Sequence, residues 1–347
     1  MPRADPTTKP ATAKLAQDAS RLTADLAAVR PWIYWSDLLL SVAALMGGLV
    51  AAVQSHGMLR IGGAALAVLA LYRALSFIHE LTHLRTGEAP GFGFAWNALV
   101  GVPFLAPSLL YEGVHNLHHG PPRYGTAQDP EYLPLARRSP WASAAFVAIA
   151  ALGPVGALIR FGALAPLSFV VPRLRSAVAA RFSAMCVNPA FRREDLARAQ
   201  SPAWLAQEIA AWLWSWTLVA LAIQGGLAAR YVAAGFAAMT AATVLNQVRT
   251  LVAHAWTNDG RILSVTEQYL DSVNVPPPGW LPLLWAPVGL RYHALHHLLP
   301  KIPYHNLAEA HRRLAAALPA DSPYHRAHHR GFLPALRTLL SRAAAAS

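Results

Sequence analysis

Charge is scarce in this chain and sulfur scarcer. Only 13% of its 347 residues are Asp, Glu, Lys or Arg, and a single cysteine, Cys186, is present. One thiol excludes an intramolecular disulfide and an iron–sulfur centre built on cysteines. The first thirty residues lack the apolar core of a secretory signal. They carry instead a weak helical stripe of Leu15, Leu22, Leu26 and Val29, read as a cytoplasmic tail on the membrane surface. No solenoid-type repeat occurs, and no linker is long enough to set off a second folded domain. Acids are fewer than bases, 17 against 29, for a formal net charge of +12. That excess needs no nucleic acid, because no basic reading element is visible and basic flanks facing anionic lipid account for it.

What is abundant is apolar. Hydrophobic residues make up 55% of the chain, a balance expected of a polytopic membrane protein rather than a soluble domain. Four stretches reach the roughly 20 residues that span a bilayer: Trp32 to Val53, Met58 to Ile78, Ala203 to Ile223 and Arg230 to Ala253. The expected fold is all-α, with about four transmembrane helices in two hairpins. The three expected parts are an interfacial tail (1–30), a membrane domain (31–315) and a basic C-terminal tail (316–347). The short loops inside the hairpins carry little charge, and most Lys and Arg lie elsewhere, which the positive-inside rule assigns to the cytoplasm. Two further apolar stretches are broken. Phe92 to Leu110 holds Gly93, Gly101, Pro103 and Pro107, and Trp141 to Val171 holds Pro154, Arg160 and Pro166. The first is expected to dip into the membrane and return, and the second to form a hairpin or lie in the interface, since broken backbone is tolerated at depth when protein covers it.

Histidine is the one polar residue gathered with a pattern. HELTH carries His79 and His83, HNLHH carries His115, His118 and His119, and HALHH carries His293, His296 and His297. Helical spacings of three and four put side chains on one face, so each cluster presents two or three imidazoles together. Eight nitrogens exceed what one ion takes, tetrahedral zinc needing four, and the count points to two metals. HELTH alone also matches the HExxH zinc protease signature with Glu80 as general base, but that reading leaves the other two clusters without a task. With two metals, Glu80 becomes an outer group orienting an imidazole, Glu112 is a further outer candidate, and Asn258, one helical turn past His254, is a candidate to bind through water or by its amide oxygen. His254, where the fourth span emerges, is a ninth candidate ligand. His325, His328 and His329 in HRAHH repeat the spacing in a polar, Arg-rich region and read as a solvated tail. His305 and His311 read as structural, and His56 lies in a loop on the wrong face.

One HxxxH box followed by two HxxHH boxes, separated by spans, resembles the membrane fatty acid desaturase and hydroxylase superfamily. GLRYHALHHLLPKIPYHNL is similar to the third box of its bacterial acyl desaturase-like members. The resemblance runs over roughly residues 30 to 315. It implies two iron ions held by His79, His83, His115, His118, His119, His293, His296 and His297, with His254 matching the extra histidine after the last span. The family often has an acidic residue before that histidine, where this chain has Ala253. It further implies O2 as co-substrate, a lipid or acyl substrate, and an external electron donor such as ferredoxin or cytochrome b5, docking on a basic surface that includes Arg192 and Arg193. The leading expectation is a desaturase of a fatty acyl chain. The alternative is a hydroxylase or ketolase of an alkyl, sterol or carotenoid lipid, and a non-catalytic metal-binding or lipid-chaperone protein comes third. The site is expected to face the cytoplasm from a bacterial inner membrane. Trp212, Trp214, Trp216 and Tyr72 are candidates for an apolar substrate tunnel, though aromatics near span ends are more often interfacial anchors.

Overall fold

The computed structural model describes residues 8–346, so the start of the expected 1–30 tail lies outside the described residues. Twelve helical elements organise it: α1 (Thr8–Leu22), α2 (Pro31–Gln54), α3 (Gly57–Leu81), α4 (Phe92–Gly101), α5 (Pro140–Val170), α6 (Pro172–Phe182), α7 (Pro202–Gln224), α8 (Gly226–Leu251), α9 (Val265–Asp271), α10 (His293–Leu298), α11 (Leu307–Ala317) and α12 (Phe332–Ala346). No strand occurs among the described residues, only isolated bridges such as His254 with Ser272. Among the described residues five helices are long and apolar enough to cross a membrane: the four expected, α2, α3, α7 and α8, and in addition α5.

The helices form two compact units. Of the described residues, one takes those up to Val29, Leu117–Ala144 and those from Val248 on; the other takes Arg30–Asn116 and Ala145–Gln247. In the second unit α2 and α3 pack as a hairpin. Gly48 and Gly63 let the two backbones touch, since a Cβ on Gly48 would lie 2.6 Å from the Ala67 nitrogen and one on Gly63 would lie 2.7 Å from the Ala52 nitrogen. α4 has ten residues, about 15 Å at 1.5 Å per residue, half of a hydrocarbon core. It ends in a π-helical turn, Asn97–Gly101. The chain then folds back, because Asn97 Nδ2 donates to Gly93 O and its Oδ1 accepts from the Ser108 N–H. A ten-residue apolar helix with its exit tied back to Asn97 is compatible with the expected dip and return.

α5 does not double back as a hairpin. Its prolines and a second π-helical turn, Arg160–Leu164, bend one continuous helical run. Arg160 is buried there against Glu208 of α7, whose other oxygen takes Arg175 of α6. Arg193, expected on a docking surface, is also buried. It donates to the carbonyls of Leu109 and Ser183, pairs with Asp195 and lies over the Trp204 ring, so it braces the loop after α6. Of the four candidate tunnel aromatics, Trp216 is exposed and Tyr72 fully buried, Trp214 donates to Pro103 O, and Trp212 lies 6.1 Å from the Phe169 ring.

In the first unit Leu15, Ala19 and Leu26 are buried with Tyr269, Leu295, Leu307 and Leu314, so the leucine stripe of α1 faces protein rather than lipid. The HRAHH segment is likewise folded in and not solvated. Tyr324 and Ala327 are buried, His311 Nδ1 bonds Tyr324 Oη at 2.8 Å, and the His329 N–H donates to Asn274 O. Burial, with Arg291 near one and His311 near the other, lowers the pKa of His311 and of His328 to about 4 each.

Candidate metal centre

Four buried histidines of the first unit, His118, His254, His293 and His297, each present a ring nitrogen within 4.8 Å of the others. Local structure explains their approach. In α10 the i, i+4 spacing puts His293 and His297 on one face. His254 follows α8 on an extended stretch pinned to the end of α9 by the Val273 N–H donating to Ala253 O. A capping box starts α9: the Ser264 side chain accepts from the Glu267 N–H, and Glu267 accepts from the Ser264 N–H at 2.8 Å. His293 Nε2 lies 2.9 Å from His254 Nε2 and 3.2 Å from His297 Nε2.

Hydrogen bonds behind two of these rings, His254 and His118, set which of their nitrogens faces the cluster. Tyr124 Oη donates to Asp271 Oδ2 at 3.0 Å, and Ser272 Oγ donates to Gln268 O at 2.8 Å. Both hydroxyls also touch His254 Nδ1, at 2.9 and 3.2 Å. With their protons already committed they can only accept, so His254 carries its proton on Nδ1 and turns the Nε2 lone pair to the cluster. His118 Nδ1 lies 2.9 Å from Asp129 Oδ2, and the carboxylate sets the same tautomer there. These are the outer contacts that orient metal-binding imidazoles. A metal–nitrogen bond of about 2.0–2.1 Å puts neighbouring ligand nitrogens about 3 Å apart, so the donor set fits a metal ion.

Electrostatics agree. Burial, with His118 nearby, holds His254 well below the usual imidazole range, and burial among His119, His293 and His118 does the same to His297. Burial works against a proton on His118 too, but the Asp129 carboxylate outweighs it and raises that pKa. Trp256 packs its ring 5.0 Å from His254 and holds φ at +58°, a left-handed backbone that costs a bulky residue on the order of 1–3 kcal/mol. Its indole donates to Leu251 O, and its carbonyl accepts from the Ala136 N–H.

The other box histidines are divided between the units by sequence. In the first unit His119 Nε2 lies 3.0 Å from His296 Nε2. In the second unit His115 packs 4.4 Å from His79 and 5.1 Å from His83, ring to ring, and Tyr111 Oη meets His115 Nδ1 at 2.9 Å. Burial and His79 lower the pKa of His83 to about 3. Glu80 accepts from Tyr34 Oη at 2.6 Å, with His79 Nδ1 at 3.5 Å. Glu112 accepts from Ser108 and pairs with Arg198 rather than with an imidazole. Asn258 gives its amide hydrogens to Gly125 O and Arg261 O, while its Oδ1 is buried without a hydrogen bond. Sequence reasoning missed Asp129, Tyr124, Asp271, Ser272 and Tyr111. The one available signal was an acid eleven residues past His118 in an acid-poor chain. The acid missing at Ala253 has a counterpart in Asp271, which reaches His254 through Tyr124.

Membrane-length helices and clustered imidazoles that could hold metal define a class of integral metalloenzymes. The chain belongs to the fatty acid desaturase family, which matches residues 55–329. It is also 55% identical over 329 residues to a ceramide hydroxylase of Caulobacter vibrioides (strain NA1000 / CB15N), covering 94% of this chain and 93% of that protein. The likeness supports the hydroxylase expectation better than the desaturase one. Membership of this family leaves the HExxH protease reading without support.

Proposed function

We propose that the protein is a membrane hydroxylase that inserts one oxygen atom into the alkyl part of a ceramide-class lipid. The observation that carries this reading is identity above half across nearly the whole of a named ceramide hydroxylase. In the balanced reaction R–H, O2, two electrons and two protons give R–OH and water. The electrons come from an external one-electron carrier, and the site faces the cytoplasm of a bacterial inner membrane.

We assign one iron to His118, His254, His293 and His297. The remaining box histidines, His79, His83 and His115 of the second unit and His119 and His296 of the first, are ligands by the family's three-box pattern, which calls for two irons in all. When bound, the metal supplies oxygen activation and the oxidation of an unactivated C–H bond, which no acid or base side chain achieves. The chain's own part is positional. Asp129 and Tyr124 fix the tautomers of His118 and His254, and the fully buried Tyr124 and Trp256 keep water from their rings.

The test is a reconstitution in lipid nanodiscs with iron, a reduced donor, a ceramide and isotopically labelled dioxygen. A product one labelled oxygen heavier is expected. A product lighter by two hydrogens, without label, returns the desaturase. One zinc per chain with no dioxygen uptake overturns both.

A further inference from the structure

Between the last membrane-length helix and the third histidine box the chain makes an excursion that the metal centre does not use. Val275 to Leu290 holds five prolines and no charged side chain, and its only hydrogen-bonding side chains are the indoles of Trp280 and Trp285. Both feet stand on the third box. Asn274 bridges Tyr292, the Val275 N–H donates to Arg291 O, and the Arg291 side chain returns to Val275 O and Gly279 O. Asn274 Oδ1 accepts from the Leu295 N–H, inside α10. The base is buried at Val275, Ala286 and Val288, so the loop is firmly folded. Its tip is not covered: Trp280 is 65% exposed, and Leu281, Leu283 and Leu284 are exposed with it.

α12 extends the same apolar surface. The Phe332 ring packs edge-on against Trp285 at 5.6 Å, and the next residue, Leu333, is 59% exposed. Residues 322–347 contain Arg326, Arg330, Arg337 and Arg342 and no acid. A tryptophan-bearing, uncharged tip beside an acid-free basic helix is the pattern of an element seated at an anionic lipid interface, apolar side chains in the acyl region and arginines among the headgroups. A protein partner recognised by charge would find nothing to read at the tip itself.

We propose that the Val275–Leu290 excursion is a membrane wedge, which sinks its Trp280–Leu284 tip into the lipid leaflet and fastens the third histidine box to the bilayer surface. The experiment uses the full chain in nanodiscs of phosphatidylcholine and phosphatidylglycerol, with Cys186→Ser and one nitroxide placed at Leu281→Cys or Leu284→Cys. Lys301→Cys, an exposed position of the same unit, is the aqueous control. Power saturation should give the tip labels a severalfold higher ratio of oxygen to nickel-chelate accessibility than the control. Equal ratios at tip and control overturn the wedge. Labels shielded from both reagents, with dipolar broadening between chains, overturn it in favour of a second copy. The readout needs neither metal nor turnover, so it stands or falls apart from the hydroxylase assignment.

Discussion

The two units hold their histidines by different means. In the first, His118 and His254 sit on short or extended segments and owe their orientation to a carboxylate and two hydroxyls behind them. In the second, His79 ends a 25-residue helix and His83 follows it by one turn, so the helix itself does most of the aiming. Tyr111 adds one contact behind His115. A long helix is stiff without help, whereas a loop becomes precise only when every neighbour is hydrogen-bonded.

Three measurements break or sharpen that contrast, and a fourth stands beside it. His297→Ala, which removes a nitrogen from the buried quartet, is expected to lose bound metal and take turnover below detection, checked by metal analysis and product assay. Full metal retention would remove the quartet from the site. Asp129→Asn keeps the shape but removes the charge that fixes His118, and should weaken metal affinity by about 10–100-fold in a competition titration. Tyr111→Phe removes a single contact behind His115 of the second unit, so its loss should stay at or below about tenfold. An equal loss from these two variants would erase the distinction between the units.

The smallest expected effect is on pH dependence, read away from the metal centre. His311 and His328 titrate near 4 in the folded chain, below their unfolded value of about 6.5. The unfolded form takes up these protons first as pH falls, so stability is full above about 6.5 and declines toward about 4. Melting temperatures should drop across that window, and His328→Gln should flatten the drop.

The histidine spacing was legible because helical periodicity writes itself into the sequence, and so was the length of the spans. The partners behind the rings were not. Asp129, Tyr124 and Asp271 act singly, each through one long-range contact, and a single residue has no period to detect. Burial by distant segments also hid the fate of Arg193 and of HRAHH. Both read as solvated by composition, and both are enclosed by elements remote in sequence. α5 was ambiguous because proline signals a break and a bend alike, and only the packing of Arg160 on Glu208 decides for the bend.

The glycine crossing of α2 and α3 has a mechanical side. Where two backbones touch at Gly48 and Gly63, the hairpin has a pivot, and His79 stands sixteen residues along the arm from Gly63. At 1.5 Å per residue that arm is about 24 Å long. A single methyl at the pivot works as a shim near one end of a lever, so a change far from the imidazoles can swing the first box out of alignment while leaving every histidine in place.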